Sequence, residues 1–242
     1  MLKVGVLLSG CGFNDGSEVY EAVLTILALE KAGATVQAMA PDIEQAVVVN
    51  HYSGEEERRE VRNMLVESAR IVRGQIISTR EVSSHSLDAL VVIGGWGAVK
   101  NLCSYFVDGA QARINPDAER LITELHALGK PIGAMCTGPI LVALALRDKN
   151  ISVTVGQDAA TSENLAALGA THAPTNVDEI HVDSANKIVS TAAFMLAHTP
   201  AEAEPAISAL VARVVGFARD IQAAMPAGGT GNTVPGVTPH VH

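Results

Sequence analysis

The chain has 242 residues, 48% of them hydrophobic, which suits a single globular domain with a sizeable core. Its 17 basic and 26 acidic residues give a net charge of −9, which argues against nucleic acid or an anionic membrane as a partner. Three cysteines without paired spacing indicate a reducing compartment, and Met1 runs almost directly into an apolar strand. We therefore expect a cytoplasmic protein without a targeting segment or a membrane span.

Apolar strands alternate with helical patterns along the chain. The sequence predicts, in order, a strand at 3–8, a helix at 18–31, a strand at 35–40, a helix at 55–71, a strand at 87–93, a helix at 116–128, a strand ending before Cys136, a helix after it, short strands at 152–155, 180–182 and 187–190, and a helix at 201–223. This alternation predicts an α/β fold with a parallel sheet covered on both faces. Residues 1–225 are expected to form one domain, and 226–242, which lack periodicity, a disordered tail.

Cys136 lies in the most informative stretch of the sequence. Ala134 and Gly138 stand two positions on either side of it, and Pro139 suits the first turn of the following helix. Strand, tight turn and helix are typical of a nucleophile elbow, although a buried structural cysteine fits the same pattern. The amino end of a helix favours a thiolate over a thiol, so a low pKa is expected here.

Loops after four strands are expected to meet at the carboxyl edge of the sheet, where parallel sheets place their sites. They begin at Ser9, Gly94, Cys136 and Gly156. The glycines of the first loop do not have dinucleotide-binding spacing. Gly94 and Gly95 could direct main-chain N–H groups at an oxyanion, together with the amide of Thr137 that follows the cysteine. Close packing of the loop would explain the two glycines equally well.

A nucleophile needs a proton partner, and two carboxyl groups begin the first predicted helix. Glu18 could simply complement the helix dipole, whereas Glu21 stands one turn further in, beside apolar residues. Periodicity alone leaves the choice between them open. A carboxyl group buried beside sulfur should have a raised pKa and remain protonated.

Several longer motifs resemble a known family. They are the segments 3–12, 15–25, 49–51, 94–102, 129–136 and 183–196. Over about residues 1–222 the chain resembles the ElbB family of isoprenoid-biosynthesis glyoxalases, in the DJ-1/PfpI group of class I glutamine amidotransferase-like proteins.

The resemblance implies a flavodoxin-like three-layer α/β sandwich with Cys136 as nucleophile and Glu21 as acid/base. It implies glutathione-independent (glyoxalase III type) conversion of glyoxal or methylglyoxal to glycolate or lactate, with Gly95 and Thr137 holding the oxyanion. The substrate would be a small aldehyde. A homodimer is expected, because members of this fold are often dimers. Glu21→Gln is then expected to slow turnover and to raise the pKa of Cys136.

One residue departs from the family pattern. Gly156 stands where many relatives have a histidine, so a Cys–His–acid triad has no obvious base. His51 follows Asn50 in a family-like motif and could line the pocket. The remaining histidines lack metal-ligand spacing, so neither a metal nor another cofactor is expected.

A non-enzymatic redox or stress sensor is the alternative. Cys11 and Cys136 would lie at the same sheet edge, where an exposed thiolate could be oxidised and then resolved as a disulfide. Cys103, before Tyr105 and Phe106, is expected to serve packing.

Overall fold

The computed structural model describes residues 1–157 and 159–224. Its strands are β1 (Lys3–Leu7), β2 (Thr35–Ala40), β3 (Ile76–Ser78), β4 (Ala89–Val92), β5 (Ile132–Met135), β6 (Ser152–Val153), β7 (Thr171–His172), β8 (Ile180–Asp183) and β9 (Ile188–Thr191). Its helices are α1 (Val19–Lys31), α2 (Met64–Ile71), α3 (Trp96–Lys100), α4 (Tyr105–Asp108), α5 (Pro116–Ala127), α6 (Gly138–Ala145), α7 (Ala159–Ala167) and α8 (Pro200–Ala224). Short 3₁₀ turns connect several of them.

Seven strands form one sheet in the order β3-β2-β1-β4-β5-β9-β8, and only β8 runs antiparallel to its neighbour. In the register of the central strands, Leu7 lies opposite Val92, and Val92 opposite Ala134. The ends of β1, β4 and β5 are therefore level. The loops that follow them begin at one edge of the sheet.

Alternate residues of each central strand enter one of two apolar layers. Val4 and Val6 pack in a cluster with Leu29 of α1 and Leu210 of α8. Leu7 belongs to the other cluster, which contains the apolar faces of α5 and α6. Helices thus cover both faces, as the continuous apolar strands predict. This is the expected flavodoxin-like α/β arrangement.

Local signals fix the ends of the helices. Asn115 accepts hydrogen bonds from the amides of Asp117 and Ala118 and so caps α5, whose first residue is Pro116. Gly33 and Gly129 follow the last turns of α1 and α5 with φ of +72° and +66°, a conformation that glycine adopts without strain.

Two predicted elements are wrong in extent. The helix predicted over 55–71 is present only as α2, which begins where the Asn63 side chain accepts from the amide of Val66. The charged segment before it has one apolar residue, Val61, which is 70% exposed, so packing cannot stabilise a helix there. The strand predicted over 152–155 is reduced to β6, which pairs with β7 outside the main sheet.

The predicted disordered tail at 226–242 and the boundary at 225 lie outside the described residues. Within 1–157 and 159–224, no helix combines the length and apolar character required to cross a membrane.

Candidate active site

Cys136 occupies a sharp turn between β5 and α6. Its φ is +57°, in the left-handed region that is strained for a residue with a side chain, and its amide donates to Thr191 O at 3.1 Å. A Cβ on Gly138 would lie 2.9 Å from Val92 O, so only glycine fits there. The turn has the geometry predicted for a nucleophile elbow.

Glu21 lies on the buried face of α1 with no exposed surface. Its Oε2 accepts a hydrogen bond from the amide of Gly94 at 3.0 Å, and its Oε1 accepts one from the amide of Phe194 at 3.2 Å. Its carboxyl group also lies beside the Cys136 thiol, close enough that each group shifts the pKa of the other. Both oxygens are therefore held, and the carboxyl group is positioned against the sulfur.

Glu18 has the structural role that its position suggested. It is the N-cap of α1, and its Oε2 accepts from the amide of Glu21 at 2.7 Å. Its own amide donates to Gly94 O at 3.1 Å. Glu18 thus fixes the first turn of α1 to the loop after β4, which sets the position of Glu21.

Burial raises the pKa of Glu21 to about 8, and the nearby charge of Glu18 acts in the same direction. The hydrogen bonds from Phe194, Cys136 and Gly94 act in the opposite direction and are weaker. Glu21 is consequently protonated for the most part at neutral pH. This is the raised carboxyl pKa expected from the sequence.

Burial also raises the pKa of Cys136 well above that of an ordinary thiol, and the Glu21 carboxylate adds to the effect. The amides of Gly95 and Thr137 donate to the sulfur and lower the pKa by less. The thiolate expected from the helix amino end is therefore wrong for the free site, because desolvation outweighs the amides. Removing the carboxylate should lower the pKa of Cys136, opposite to the expectation from the sequence.

The two glycines after β4 have different roles. Gly95, with φ of +94°, has no room for a side chain because a Cβ would overlap Gly16 O. Its N–H points at the sulfur, and its carbonyl accepts from Thr137 Oγ1 at 2.7 Å. The N–H of Gly94 is used by Glu21, so Gly94 positions the carboxyl group and does not offer an oxyanion donor.

A cavity of about 330 Å³ opens at Cys136. It is lined by Phe13, Glu18, Tyr20, Gly95, Trp96, Cys136, Thr137, Phe194 and Met195. The aromatic residues were not predicted from the sequence, although Trp96 directly follows the diglycine and Tyr20 directly precedes Glu21. Phe194 stacks on Tyr20 with ring centroids 5.8 Å apart, and its backbone is placed by Ala193, whose φ is +42°.

The segment after β9, and not the loop that begins at Gly156, contributes to the cavity, through Phe194 and Met195. A Cβ on Gly156 would lie 3.0 Å from Leu196 and 3.2 Å from Ala192, so Gly156 packs against this segment. It does not line the cavity. Asp158, at the end of the same loop, lies outside the described residues.

The other candidate residues lie away from the cavity. His51 contacts Val49 O, the amide of Asn14 and the edge of Phe13, and does not line the cavity. Cys11 is half-buried, and burial raises its pKa, with Glu67 adding to the effect. Cys103 is buried in the core, as expected. No group of three metal-ligating side chains is found in the described part of the chain.

Known proteins similar to this chain share most of its length. No protein-family model matches the sequence. The human glutamine amidotransferase-like class 1 domain-containing protein 3, mitochondrial, is 41% identical over 222 residues, covering 88% of this chain and 82% of the human protein. The chain belongs to this glutamine amidotransferase-like class 1 family.

Solved structures agree with this membership in the glutamine amidotransferase-like class 1 family. An isoprenoid biosynthesis protein with an amidotransferase-like domain from Ehrlichia chaffeensis is 33% identical, with a TM-score of 0.84 and coverage of 90% of this chain and 99% of that one. Drosophila melanogaster DJ-1beta, 15% identical with a TM-score of 0.53 over 91% and 97% of the two chains, shares the fold. The DJ-1/PfpI-type fold implied by the sequence motifs is confirmed.

The expected cytoplasmic location is contradicted. The human relative is named as a mitochondrial protein, and so are the rat and zebrafish ES1 relatives, which are 40% and 32% identical. Cysteine spacing reports a reducing compartment, and it does not distinguish one reducing compartment from another.

Proposed function

We propose that this protein is a cysteine-dependent, glutathione-independent glyoxalase that converts glyoxal to glycolate and methylglyoxal to lactate. The observation that carries the proposal is the buried Cys136–Glu21 pair, which lies at a small cavity open to an aldehyde. The carboxyl pKa near 8 suits a group that both accepts and returns a proton near neutral pH.

The reaction would begin from the form of the pair that holds one proton. Glu21 takes the thiol proton, the Cys136 sulfur bonds to the aldehyde carbon, and the carbonyl oxygen takes the proton back from Glu21. The product is a hemithioacetal. The amides of Gly95 and Thr137, which face the sulfur in the free site, would stabilise the negative oxygen as it forms.

Glu21 would then carry out the isomerisation. Its carboxylate removes the hydrogen from the hemithioacetal carbon and returns that proton to the neighbouring carbon of the enediol intermediate, while the hemithioacetal hydroxyl proton passes to the neighbouring oxygen. The carbon bonded to sulfur becomes a thioester, and water hydrolyses it to the 2-hydroxy acid and free Cys136. No external oxidant or reductant is needed, since one carbon is oxidised as the other is reduced.

The cavity favours this reaction over amide hydrolysis. Among the described residues that line it there is no histidine, and Glu21 is the only acid/base group in contact with Cys136. Expulsion of an amine requires a group that protonates it as it leaves, usually the histidine of a triad. Aldehyde isomerisation requires only proton transfers of the kind that one carboxyl group performs.

The environment of the cysteines supports a redox or stress sensor less well than it supports a glyoxalase. A peroxide-sensing cysteine is typically exposed, with a low pKa, whereas Cys136 is 6% exposed and its pKa is raised. Cys11 has a raised pKa as well, and its electrostatic neighbours are Glu67, Arg70 and Asp15. Neither thiol has the environment that makes cysteine easily oxidised.

Product analysis without glutathione tests the proposal. The wild type should form lactate from methylglyoxal and glycolate from glyoxal, and Cys136→Ser should form neither above the blank without enzyme. Cys103→Ser, which changes a buried cysteine outside the cavity, is the matched control. Wild-type product equal to the blank, or full activity in Cys136→Ser, would refute the proposal.

A further inference from the structure

The walls of the active-site cavity have a composition unusual for this chain. The whole sequence contains one Trp, three Tyr and four Phe, and four of these eight aromatic residues line the cavity: Phe13, Tyr20, Trp96 and Phe194. Half of the aromatic residues in this chain therefore lie around the sulfur atom of Cys136.

Three of these rings are about half exposed. Phe13 is 49% exposed, Tyr20 54% and Trp96 40%. Exposed large apolar side chains that cluster in this way mark a binding surface. The cluster is also linked through the backbone, since the Trp96 amide donates to Phe13 O at 2.7 Å, so the two rings are held at the same opening.

The charge of the cavity excludes one class of ligand. Among the described residues that line it there is no lysine, arginine or histidine, and the one carboxyl group at the wall is Glu18. An anionic substituent such as a carboxylate or phosphate would find no positive partner. An uncharged apolar group would instead contact the aromatic walls and Met195.

The cavity is also larger than the simplest substrates need. Its volume of about 330 Å³ equals that of about eleven water molecules in the liquid. Methylglyoxal, with a three-carbon skeleton, would leave more than half of this space unfilled. A 2-oxoaldehyde that carries a ring or a branched alkyl group would fill it.

We infer that the preferred substrates are uncharged 2-oxoaldehydes with a bulky apolar substituent, which Phe13, Tyr20, Trp96 and Phe194 bind while Cys136 attacks the aldehyde. This inference rests on the proposed glyoxalase function. Phe194 is the main specificity residue, because its side chain forms the wall while its amide, which any substitution except proline retains, holds Glu21.

Initial rates with phenylglyoxal and methylglyoxal test the inference. We expect kcat/KM for phenylglyoxal to exceed that for methylglyoxal by about tenfold or more, as burial of an aromatic ring requires. Phe194→Ala should reduce this ratio about tenfold. If Phe194→Ala does not fold, Phe13→Ala, which also removes a ring from the cavity wall, should reduce the ratio in its place. Tyr52→Ala, which removes an exposed aromatic ring outside the cavity, should leave the ratio unchanged. Equal or better use of methylglyoxal would overturn the inference and leave the proposed function standing.

A binding measurement separates this inference from the proposed function. Trp96 is the only tryptophan in the chain, so its fluorescence reports directly on the cavity. Benzyl alcohol, which cannot react as an aldehyde, should change the Trp96 emission saturably at concentrations where 1-propanol does not. That result would support the apolar site even if neither aldehyde is turned over, and the lack of any change would overturn it.

Discussion

At the scale of single residues, one carboxyl group decides the chemistry of the site. Glu21 has no exposed surface, and both of its oxygens accept backbone hydrogen bonds, so it cannot turn away from Cys136. Each group raises the cost of charging the other, because both are almost entirely removed from solvent. The two groups therefore titrate as a pair, and the proton they share is available for transfer.

Glu21→Gln should reduce kcat for methylglyoxal by roughly 10²–10⁴-fold, the usual contribution of a general acid/base. The pKa of Cys136 should fall, because the carboxylate that opposes its ionisation is gone. The pH dependence of iodoacetamide alkylation measures this pKa, and Glu30→Gln on the exposed side of α1 is the control. An unchanged alkylation profile would show that the two groups do not interact.

At the scale of the elements, the site depends on how closely the loop after β4 approaches the elbow. A Cβ on Gly94 would overlap the Cβ of Cys136 and lie 2.7 Å from Glu21 Oε2. The backbone at Gly94 has neighbours on both the nucleophile and the acid. Even the smallest side chain would push the pair apart.

Gly94→Ala should therefore abolish most activity and lower the free energy of unfolding by about 1–3 kcal/mol, as overpacking does. Gly216→Ala is the matched control, since a Cβ there meets nothing within 4 Å and Gly216 is inside α8. That control should stabilise the protein by up to about 1 kcal/mol. Chemical denaturation and the lactate assay together check both variants, and an active, stable Gly94→Ala protein would disprove the close approach.

Elements with a strong local pattern could be predicted from the sequence. The second strand, 35–40, has the predicted bounds, and the elbow at Cys136 follows from small residues and Pro139. Burial alone would not have separated Glu21 from Glu18, because both are buried; the difference is that Glu18 is the N-cap of α1. The place of Phe194 could not be predicted, because it depends on the positive φ of Ala193 and on contacts distant in sequence.

At the scale of the whole molecule, Asp183 joins the small sheet to the large one. At the end of β8, it accepts from the amide of Ser152 on β6 at 2.8 Å and from Asn186. Burial raises the pKa of Asp183, but the hydrogen bonds from Ser152 and Asn186 and the charge of His181 together lower it below its usual 3.8. A depressed pKa means that the folded state favours the ionised form.

Asp183→Asn should lower the free energy of unfolding at neutral pH by about 1 kcal/mol, the worth of a typical hydrogen bond. The ionised group contributes this stability above the ordinary pKa of 3.8, and the contribution is lost as the pH falls through the lower pKa of the folded state. The difference between wild type and variant should therefore shrink in acid. Denaturant titrations at neutral pH and at a pH below 3.8 measure the difference in free energy of unfolding between wild type and variant. Asp178→Asn, at an exposed residue, is the control. A difference that does not depend on pH would contradict the argument.

The expected homodimer also belongs to this scale and stays a prediction. Sedimentation at equilibrium would measure the mass of the species in solution against the chain mass of 25.2 kDa. A mass equal to that of one chain at micromolar concentration would contradict the expected homodimer.

The pH dependence of kcat/KM for methylglyoxal, in the wild type and in Glu21→Gln, tests the central claim most directly. The form of the pair with one proton is the reactive one, so the wild-type rate should rise with pH and level off near the Glu21 pKa of about 8. In the variant the only titrating group of the pair is Cys136, so any rise should follow the shifted pKa of the thiol and should no longer occur at the wild-type position. The same limb in both proteins, or a flat wild-type profile, would contradict the role of the Cys136–Glu21 pair.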